Sequence, residues 1–176
     1  QVIVREAFRD LVSEGLLTTE PRRGVRVAHL SPEEAEEITA LRQAVEGQVL
    51  AWAIPNLTRA DLARAGGILE ELDQAQAVDR IIELNRRFHA ILYEPCGRAR
   101  SLALVETLRR NFARYLRFTW ESTQHRPRSQ GQHRQLLRLI AAGKVAEASA
   151  HLRAHIGETG QVIAKALRDR APVQSP

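Results

Sequence analysis

From Ser31 onwards the chain is a succession of segments with helical hydrophobic spacing, separated by short turns that contain Pro, Gly or Asn. Ser31-Pro32-Glu33-Glu34 has the form of a capping box with proline in the first helical turn, which predicts a helix start. Pro55-Asn56, Pro95-Cys96-Gly97 and Gly143 are stop signals between later segments. The sequence of this part has no alternating strand pattern. It therefore predicts an all-α antiparallel bundle of about six helices.

The predicted helices differ in how strongly their sequences support them. They cover approximately residues 32–54, 58–77, 79–93, 101–121, 129–142 and 145–168, with a polar loop at 123–128. The first carries its apolar residues on one stripe, at Ile38, Leu41, Val45, Val49 and Trp52. Glycines weaken the second helix, at Gly66-Gly67, and the last, at Gly157 and Gly160. Residues 171–176 are predicted to form a disordered tail.

Residues 1–30 predict a smaller unit, separate from the helical domain at residues 31–170. Val4, Ala7, Phe8, Leu11 and Val12 have helical spacing, and Gly15 is placed as a C-terminal stop. Two β-prone runs follow on either side of Pro21-Arg22-Arg23-Gly24, which predicts a hairpin. A helix followed directly by a hairpin is half of a winged helix-turn-helix.

Composition limits the class of protein. No segment is long and apolar enough to cross a membrane, and the first residues indicate an internal start instead of a signal peptide. The single cysteine, Cys96, excludes an intramolecular disulfide and suits a reducing cytosol. The net charge is +5, and only Lys144 and Lys165 of the 26 basic residues are lysines. Arginine suits phosphate and carboxylate recognition, but codon bias explains the excess more simply, so charge supports nucleic-acid binding only weakly.

Three histidines on three predicted helices are candidate metal ligands. They are His89, His133 and His155, and Asn85 lies one helical turn before His89, on the same face. If the helices pack together, three imidazoles and an amide oxygen favour zinc or nickel over magnesium or calcium. The alternative for each is an ordinary surface or core histidine. His29 and His125 lie in predicted loops and take that interpretation, whereas His151 is a rival ligand to His155.

Two groups of polar residues are candidates for other contacts. Arg5 and Arg9 share a face of the first predicted helix, next to the turn with Arg22, Arg23 and Gly24, which together predict a DNA contact unless they are simply solvated. Arg42 borders the apolar stripe of its helix and could hold an effector carboxylate. Its alternative is a surface ion pair with Glu46 four residues later. Weaker effector candidates, for which packing or a solvated face is the favoured alternative, are Asn111, Arg114 and Tyr115.

Four local patterns in the same order resemble the GntR family of bacterial transcription regulators, in the branch similar to the fatty-acid-responsive regulator with an all-helical FCD domain. They are Val4–Leu11 leading to Glu14-Gly15-Leu16, the wing-like Arg22–Val27, Arg42 with Glu46, and the set Asn85/Phe88-His89, Gln132-His133 and His155-Ile156. The resemblance favours His155 over His151, because the 22-residue step from His133 matches the family pattern. Asn85 departs from the aspartate that is typical of the metal-binding members, and an amide oxygen is a weaker ligand.

The resemblance implies a cytoplasmic, metabolite-responsive regulator, more often a repressor, that binds a palindromic operator in double-stranded DNA as a homodimer. Its helical domain would hold a divalent metal and a small carboxylate. The chain lacks the first part of the winged domain, so we expect it to bind an operator poorly as it stands. The alternatives are a metal-dependent hydrolase or lyase on a helical bundle, for which the sequence offers no convincing general base, and a metal-free dimerisation module.

Overall fold

The computed structural model describes residues 2–20, 22–122 and 126–170. Its elements, in chain order, are α1 (Val2–Ser13), β1 (Leu17–Glu20), β2 (Gly24–Val27), α2 (Pro32–Ala53), α3 (Arg59–Gln74), α4 (Val78–Tyr93), α5 (Ala99–Ser122), α6 (Arg126–Ala141) and α7 (Val145–Arg170). Short 3-10 turns at Ile54–Asn56 and Glu94–Cys96 follow α2 and α4. Within the described residues, six helices follow Ser31, as the sequence predicts.

The first unit is a helix followed by an antiparallel hairpin, which confirms the predicted order. β1 pairs with β2 from Leu17 opposite Val27 to Glu20 opposite Gly24. The turn needs left-handed backbone, which Arg22 and Gly24 adopt with φ of 64° and 90°. Each residue of α1 is exposed or only half-buried, and Phe8 is among its exposed apolar side chains. The apolar face of α1 is therefore not covered by the described part of the chain.

The helix starts follow their capping residues. Ser31 accepts a hydrogen bond from the Glu34 amide at the start of α2, with Pro32 in the first turn. Thr58 and Asp61 form a reciprocal capping box at the start of α3. The predicted C-terminal boundary of the polar loop at 123–128 is wrong, because α6 already begins at Arg126. The rest of that loop, with His125, and the predicted tail lie outside the described residues.

Helices α2 and α7 pack closely against each other, and the larger core cluster takes buried residues from each of α2 to α7. A Cβ atom at Gly160 would lie 2.3 Å from the Thr39 hydroxyl, and one at Gly157 would lie 2.5 Å from the Gln43 amide nitrogen. The glycines predicted to weaken α7 therefore allow close contact with α2, and this contact compensates for their low helix propensity. Gly66 and Gly67 likewise do not interrupt α3.

The predicted apolar stripe of α2 is wrong in part. Ile38 and Val49 are buried, but Leu41 is 47% exposed. The buried face instead includes Arg42 and Glu46, which bind each other inside the bundle with 2.6 Å between Nε and Oε1. The surface ion pair considered from the sequence is thus a buried one, because other helices supply further partners to Glu46.

Helix α5 connects the bundle to the first unit. Arg110 forms an ion pair with Glu14 after α1, with a 2.9 Å N–O distance. Arg114 donates to both carboxylate oxygens of Glu34 and, at 3.4 Å, to the carbonyl oxygen of Ala28 after β2. Tyr115 donates its hydroxyl proton to Glu34 and accepts a hydrogen bond from the Ser31 amide. Among the described helices, none has the length and apolar character that a bilayer crossing requires.

Candidate metal and effector site

His89, His133 and His155 converge in the interior of the bundle from α4, α6 and α7. All three are buried, and one nitrogen from each ring lies within 4.8 Å of the other two. The Nε2 atoms of His133 and His155 are 3.2 Å apart. Two nitrogen ligands about 2.1 Å from one ion are separated by about 3.0–3.4 Å, depending on the coordination geometry, so this spacing fits a shared metal.

The outward-facing nitrogen of each ring has a hydrogen-bond partner. Nδ1 of His133 lies 3.1 Å from Oε1 of Gln130, and Nδ1 of His155 lies 2.7 Å from Oε1 of Gln132. Both amides are oriented by carboxylates, because Gln130 donates to Asp73 and Gln132 donates to Glu158. These bonds turn each amide nitrogen toward a carboxylate and each amide oxygen toward a histidine. An amide oxygen only accepts hydrogen bonds, so the network assigns the proton of both rings to Nδ1.

The same tautomer follows for His89. Its Nδ1 lies 3.2 Å from the hydroxyl oxygen of Tyr93, and Tyr93 donates its only proton to Glu46 at 2.6 Å. His89 must therefore donate from Nδ1, which leaves its Nε2 as an acceptor. All three Nε2 atoms thus carry lone pairs, and those of His133 and His155 face each other at a distance where two acceptors repel.

The electrostatic surroundings keep the rings of His89 and His133 neutral. Burial lowers the pKa of His89 well below its ordinary value, and the nearby Arg109 guanidinium lowers it further. Burial also lowers the pKa of His133, with His155 and Arg109 as additional causes. Neutral imidazole is the form that binds a metal ion, so His89 and His133 are prepared for ligation without prior loss of a proton.

Asn85 lies beside the cluster, next to a very small cavity. The cavity has a volume of about 20 Å³, which is enough for about one water molecule or one ion. Asn85, His89, His155 and Arg42 are among its lining residues, and Trp120 and Thr159 are among the others. The structure therefore brings together the four predicted metal ligands and one predicted effector residue.

His151, the rival of His155, points elsewhere. Its Nε2 lies 2.9 Å from the backbone oxygen of Gln132, and it is not part of the three-histidine cluster. The geometry places His155 in the cluster, as the family pattern favours. His29, in the connection between the hairpin and α2, is exposed.

A buried polar network behind the histidines was not foreseen from the sequence. Glu46 accepts hydrogen bonds from Arg42, Tyr93 and Arg109, and Arg109 also donates to the backbone oxygen of Asn85 at 3.3 Å. Burial raises the pKa of Glu46, but attraction by Arg42 and Arg109 and the Tyr93 hydrogen bond outweigh this and lower it overall. Glu46 is thus a charged structural centre and not a poised base. Asn85, His89 and Tyr93 follow one another at four-residue steps on α4 and so share a face of the helix. This spacing could have identified Tyr93 as a neighbour of the predicted ligands.

The other predicted effector residues lie away from the cavity lining. Arg114 and Tyr115 bind Glu34 at the junction with the first unit. Asn111 is half-buried on α5, and its Oδ1 is buried with no hydrogen-bond partner among the described residues. Their predicted role is therefore not supported by a place at the cavity.

The predicted DNA-contacting residues lie together in the first unit. Arg5 and Arg9 are exposed on α1, and Arg22, Arg23 and Gly24 are exposed at the hairpin tip. Arg26 on β2 is different, because it forms an ion pair with Glu20 at 3.0 Å. Arg5, Arg9, Arg22 and Arg23 have no ion pair of this kind within the part of the chain that the structure describes.

Comparison with known proteins identifies the class. The FCD domain family matches residues 37–158, which contain α3 to α6, most of α2 and about half of α7. A GntR family regulator from Pseudomonas syringae pv. tomato str. DC3000 has a solved structure that superposes with a TM-score of 0.73. It is 35% identical, and the match covers 95% of this chain and 71% of that one. The chain therefore belongs to the GntR family of transcription regulators, in the group with an FCD domain.

Two regulators from Escherichia coli (strain K12) are also similar. The HTH-type transcriptional regulator McbR is 33% identical over 108 residues, which are 60% of this chain and only 49% of McbR. The HTH-type transcriptional repressor GlaR is 28% identical, with 93% of this chain and 80% of GlaR covered. The chain thus spans about half of McbR and most of GlaR. These relatives are regulators and not enzymes, which counts against the hydrolase or lyase alternative.

Proposed function

We propose that the chain is part of a metabolite-responsive transcription repressor whose bundle binds a divalent metal through His89, His133 and His155. The observation that carries this proposal is the convergence of the three rings, with the Nε2 atoms of His133 and His155 facing each other at 3.2 Å. Protonation of a ring would relieve the repulsion, but burial opposes it at His89 and His133. A divalent cation relieves it while keeping every outer hydrogen bond.

Zinc or nickel suits this donor set best. Three imidazoles are borderline ligands, which favour these ions over the hard cations magnesium and calcium. The hydrogen bonds from each Nδ1 orient the rings and raise their basicity, as is usual around protein-bound metals. Asn85 would add a neutral oxygen ligand, weaker than a carboxylate, and this leaves the ion more positive toward an incoming anion.

A small carboxylate would be the effector. It would occupy open positions of the ion, next to Arg42, which lines the cavity. Arg42 and Arg109 share one carboxylate, that of Glu46, so the interior near the cluster carries an excess of positive charge. This excess favours an anionic ligand over a neutral one.

The first unit would bind DNA. Arg5 and Arg9 on α1 and the exposed hairpin tip with Arg22, Arg23 and Gly24 would contact an operator as the recognition helix and wing of a winged helix-turn-helix. We propose that a cytoplasmic homodimer binds a palindromic operator, because two recognition helices related by a two-fold axis match two half-sites. On this proposal residues 1–30 belong to the DNA-binding domain and residues 31–170 form the effector and dimerisation domain.

Metal analysis of the purified protein tests this function. We expect about one zinc or nickel ion per chain by mass spectrometry, and His133→Ala should weaken zinc binding by about a hundredfold or more in calorimetry. His151→Ala is the matched control and should bind zinc as the wild type does, because its Nε2 faces a backbone oxygen. Unchanged metal content in His89→Ala, His133→Ala and His155→Ala proteins would overturn the metal site at these histidines, and wild-type protein without bound metal would support the metal-free dimerisation module.

A further inference from the structure

The residues that face the candidate metal position provide no negative charge. His89, His133 and His155 converge there without a carboxylate among the described groups of the cluster. The small cavity beside them is lined by the uncharged amide of Asn85, and Arg42 is its one ionisable lining residue other than histidine in the described part of the chain. A divalent cation at the histidines would therefore have only neutral ligands from these residues.

The hydrogen-bond partners of the three rings are uncharged as well. They are the side chains of Gln130, Gln132 and Tyr93. In many metal sites a carboxylate holds the ligating histidine directly, which raises the negative charge around the ion. Here the carboxylates bind the glutamines instead, and arginines already pair with both of them, as Arg134 does with Asp73 and Arg128 with Glu158. The outer hydrogen bonds thus orient the rings without compensating the charge of an ion.

The buried charges behind the histidines leave an excess of positive charge. Arg42 and Arg109 share the single carboxylate of Glu46, and all three side chains are buried. Burial lowers the pKa of His89 most, and both guanidinium groups are among the other causes that lower it. These groups therefore repel positive charge at the histidines, and a metal ion there meets the same repulsion as a proton.

The charge balance determines what an ion needs in order to bind. One uncompensated guanidinium and the two charges of the ion would leave three positive charges in the interior. Buried charge of this amount is costly unless a counter-charge binds with it. A monoanion would leave two of the three charges, whereas a dianion returns the interior to the excess that it has without the ion.

We propose that the metal ion and a small dicarboxylate bind this site as a pair, each strengthening the binding of the other. This pairing rests on the proposed metal function and adds that neither partner binds tightly alone. The dianion supplies, next to Arg42, the negative charge that the neutral ligand residues lack. The small volume of the cavity, about 20 Å³, favours a short carbon skeleton. The protein then responds to the metal and the acid together, since coupled ligands promote each other's binding by the same factor.

Calorimetry of zinc binding with different anions tests this pairing. The wild-type chain is titrated with zinc in malonate, in acetate or in perchlorate at equal ionic strength, because perchlorate coordinates metal ions very weakly. Malonate should strengthen zinc binding about tenfold or more relative to perchlorate, and acetate should have a smaller effect. Malonate also binds zinc in solution, which weakens the apparent affinity for the protein, so a gain cannot come from that side reaction.

The outcomes separate the pairing from the metal site itself. Malonate should bind the zinc-loaded chain at least about tenfold more tightly than the zinc-free chain in chelator. Equal zinc affinity in malonate and perchlorate, or an equal effect of acetate and malonate, would overturn the pairing with a dianion while the metal site stands. Absence of zinc binding in every buffer would overturn both.

Asn85→Asp places the missing charge on the chain. It should strengthen zinc binding in perchlorate about tenfold and should reduce the malonate effect, because an aspartate is an anionic ligand where asparagine is neutral. Asn56→Asp is the matched control, since Asn56 is exposed and donates to the backbone oxygens of Trp52 and Pro95. It should behave as the wild type in both buffers. A full malonate effect in Asn85→Asp would refute the pairing.

Arg42→Gln tests the positive excess from the other side. The glutamine keeps a donor for Glu46 but removes one charge, so zinc should bind more tightly in perchlorate and malonate should bind the zinc-loaded protein more weakly. Damage to the fold would weaken zinc binding instead of strengthening it. Weaker zinc binding by an Arg42→Gln protein with wild-type thermal stability would therefore contradict the proposal.

Discussion

Tyr93 donates its hydroxyl proton to Glu46 across the interface between α4 and α2, with 2.6 Å between the oxygens. Burial raises the pKa of Tyr93 well above its ordinary value, and the negative charge of Glu46 raises it further, so the phenol stays protonated. The same oxygen accepts from His89, which fixes the tautomer of a proposed ligand. A single hydroxyl thus connects the fully buried carboxylate of Glu46 to the histidine cluster.

Tyr93→Phe should therefore affect both metal binding and stability. Loss of this partner should weaken zinc binding by about 10–100-fold and lower the free energy of unfolding by about 1–3 kcal/mol, because a buried carboxylate loses a donor. Calorimetry and urea denaturation measure the two effects. Tyr115→Phe is the control, since Tyr115 binds Glu34 outside the cavity. It should leave zinc affinity unchanged. An equal loss of zinc affinity in both variants would contradict the role of Tyr93 as the partner that orients His89.

Stability of the metal-free protein should fall as the pH decreases below about 6.5. Burial and nearby positive groups lower the pKa of His89 and His133 in the folded chain, whereas unfolded histidine keeps a pKa of about 6.5. The unfolded state then binds more protons than the folded state, which costs about 1.4 kcal/mol per pH unit for each histidine. Urea denaturation in chelator across this range measures the slope. The His89→Gln/His133→Gln variant should flatten it, and an unchanged slope would count against the neutral buried cluster.

The contact of Glu34 with Arg114 and Tyr115 should be structural. Glu34→Gln should weaken this junction by about 1 kcal/mol and speed hydrogen exchange of the amides at 28–31, with no change in zinc affinity. Glu36→Gln is the control, because Glu36 pairs with Arg168 at the surface. If Glu34→Gln instead altered metal or carboxylate binding, Arg114 and Tyr115 would have the effector role that the sequence suggested.

The exposed arginines of the first unit should contribute to DNA affinity through phosphates. In a protein with a complete winged helix-turn-helix, operator affinity falls with salt, and the slope of log K against log salt concentration measures this dependence. Arg5→Ala and Arg23→Ala should each reduce the magnitude of this slope by about one. Arg26→Ala should change it less, since Arg26 is paired with Glu20. Fluorescence anisotropy at several salt concentrations measures the slopes. A slope that none of the three substitutions changes would argue against this surface.

Two glycines in helices should respond to alanine in opposite ways. Gly160→Ala should destabilise the bundle by about 1–3 kcal/mol, because its Cβ would collide with Thr39 on α2. Gly66→Ala should stabilise it by about 0.5–1 kcal/mol, since nothing lies within 4 Å of that Cβ and alanine is the better helix former. Thermal unfolding measures both, and a stabilising Gly160→Ala would contradict the close packing of α2 on α7.

The sequence predicted the elements well because their signals are local. Capping residues, Pro and Gly stops and hydrophobic spacing identify the helices after Ser31 without knowledge of their neighbours. The histidines could also be predicted, since the family pattern adds to their spacing. The buried pairing of Glu46 with Arg109 could not be predicted, because these residues are 63 positions apart and only such pairing allows charged residues inside the bundle. The position of Arg114 on its helix likewise did not reveal the rotation that directs this side chain to Glu34.

Arg109 and Arg110 are consecutive residues on α5, yet one binds Glu46 in the interior and the other binds Glu14 behind the exposed helix of the first unit. Successive helical side chains diverge by about 100°, so these two contacts depend on the same rotational setting of α5. A small turn of this one helix about its axis would strain both contacts together. The path from a buried charge to the arginine-bearing unit is therefore one peptide unit long, and a signal between them needs no chain of intermediate side chains.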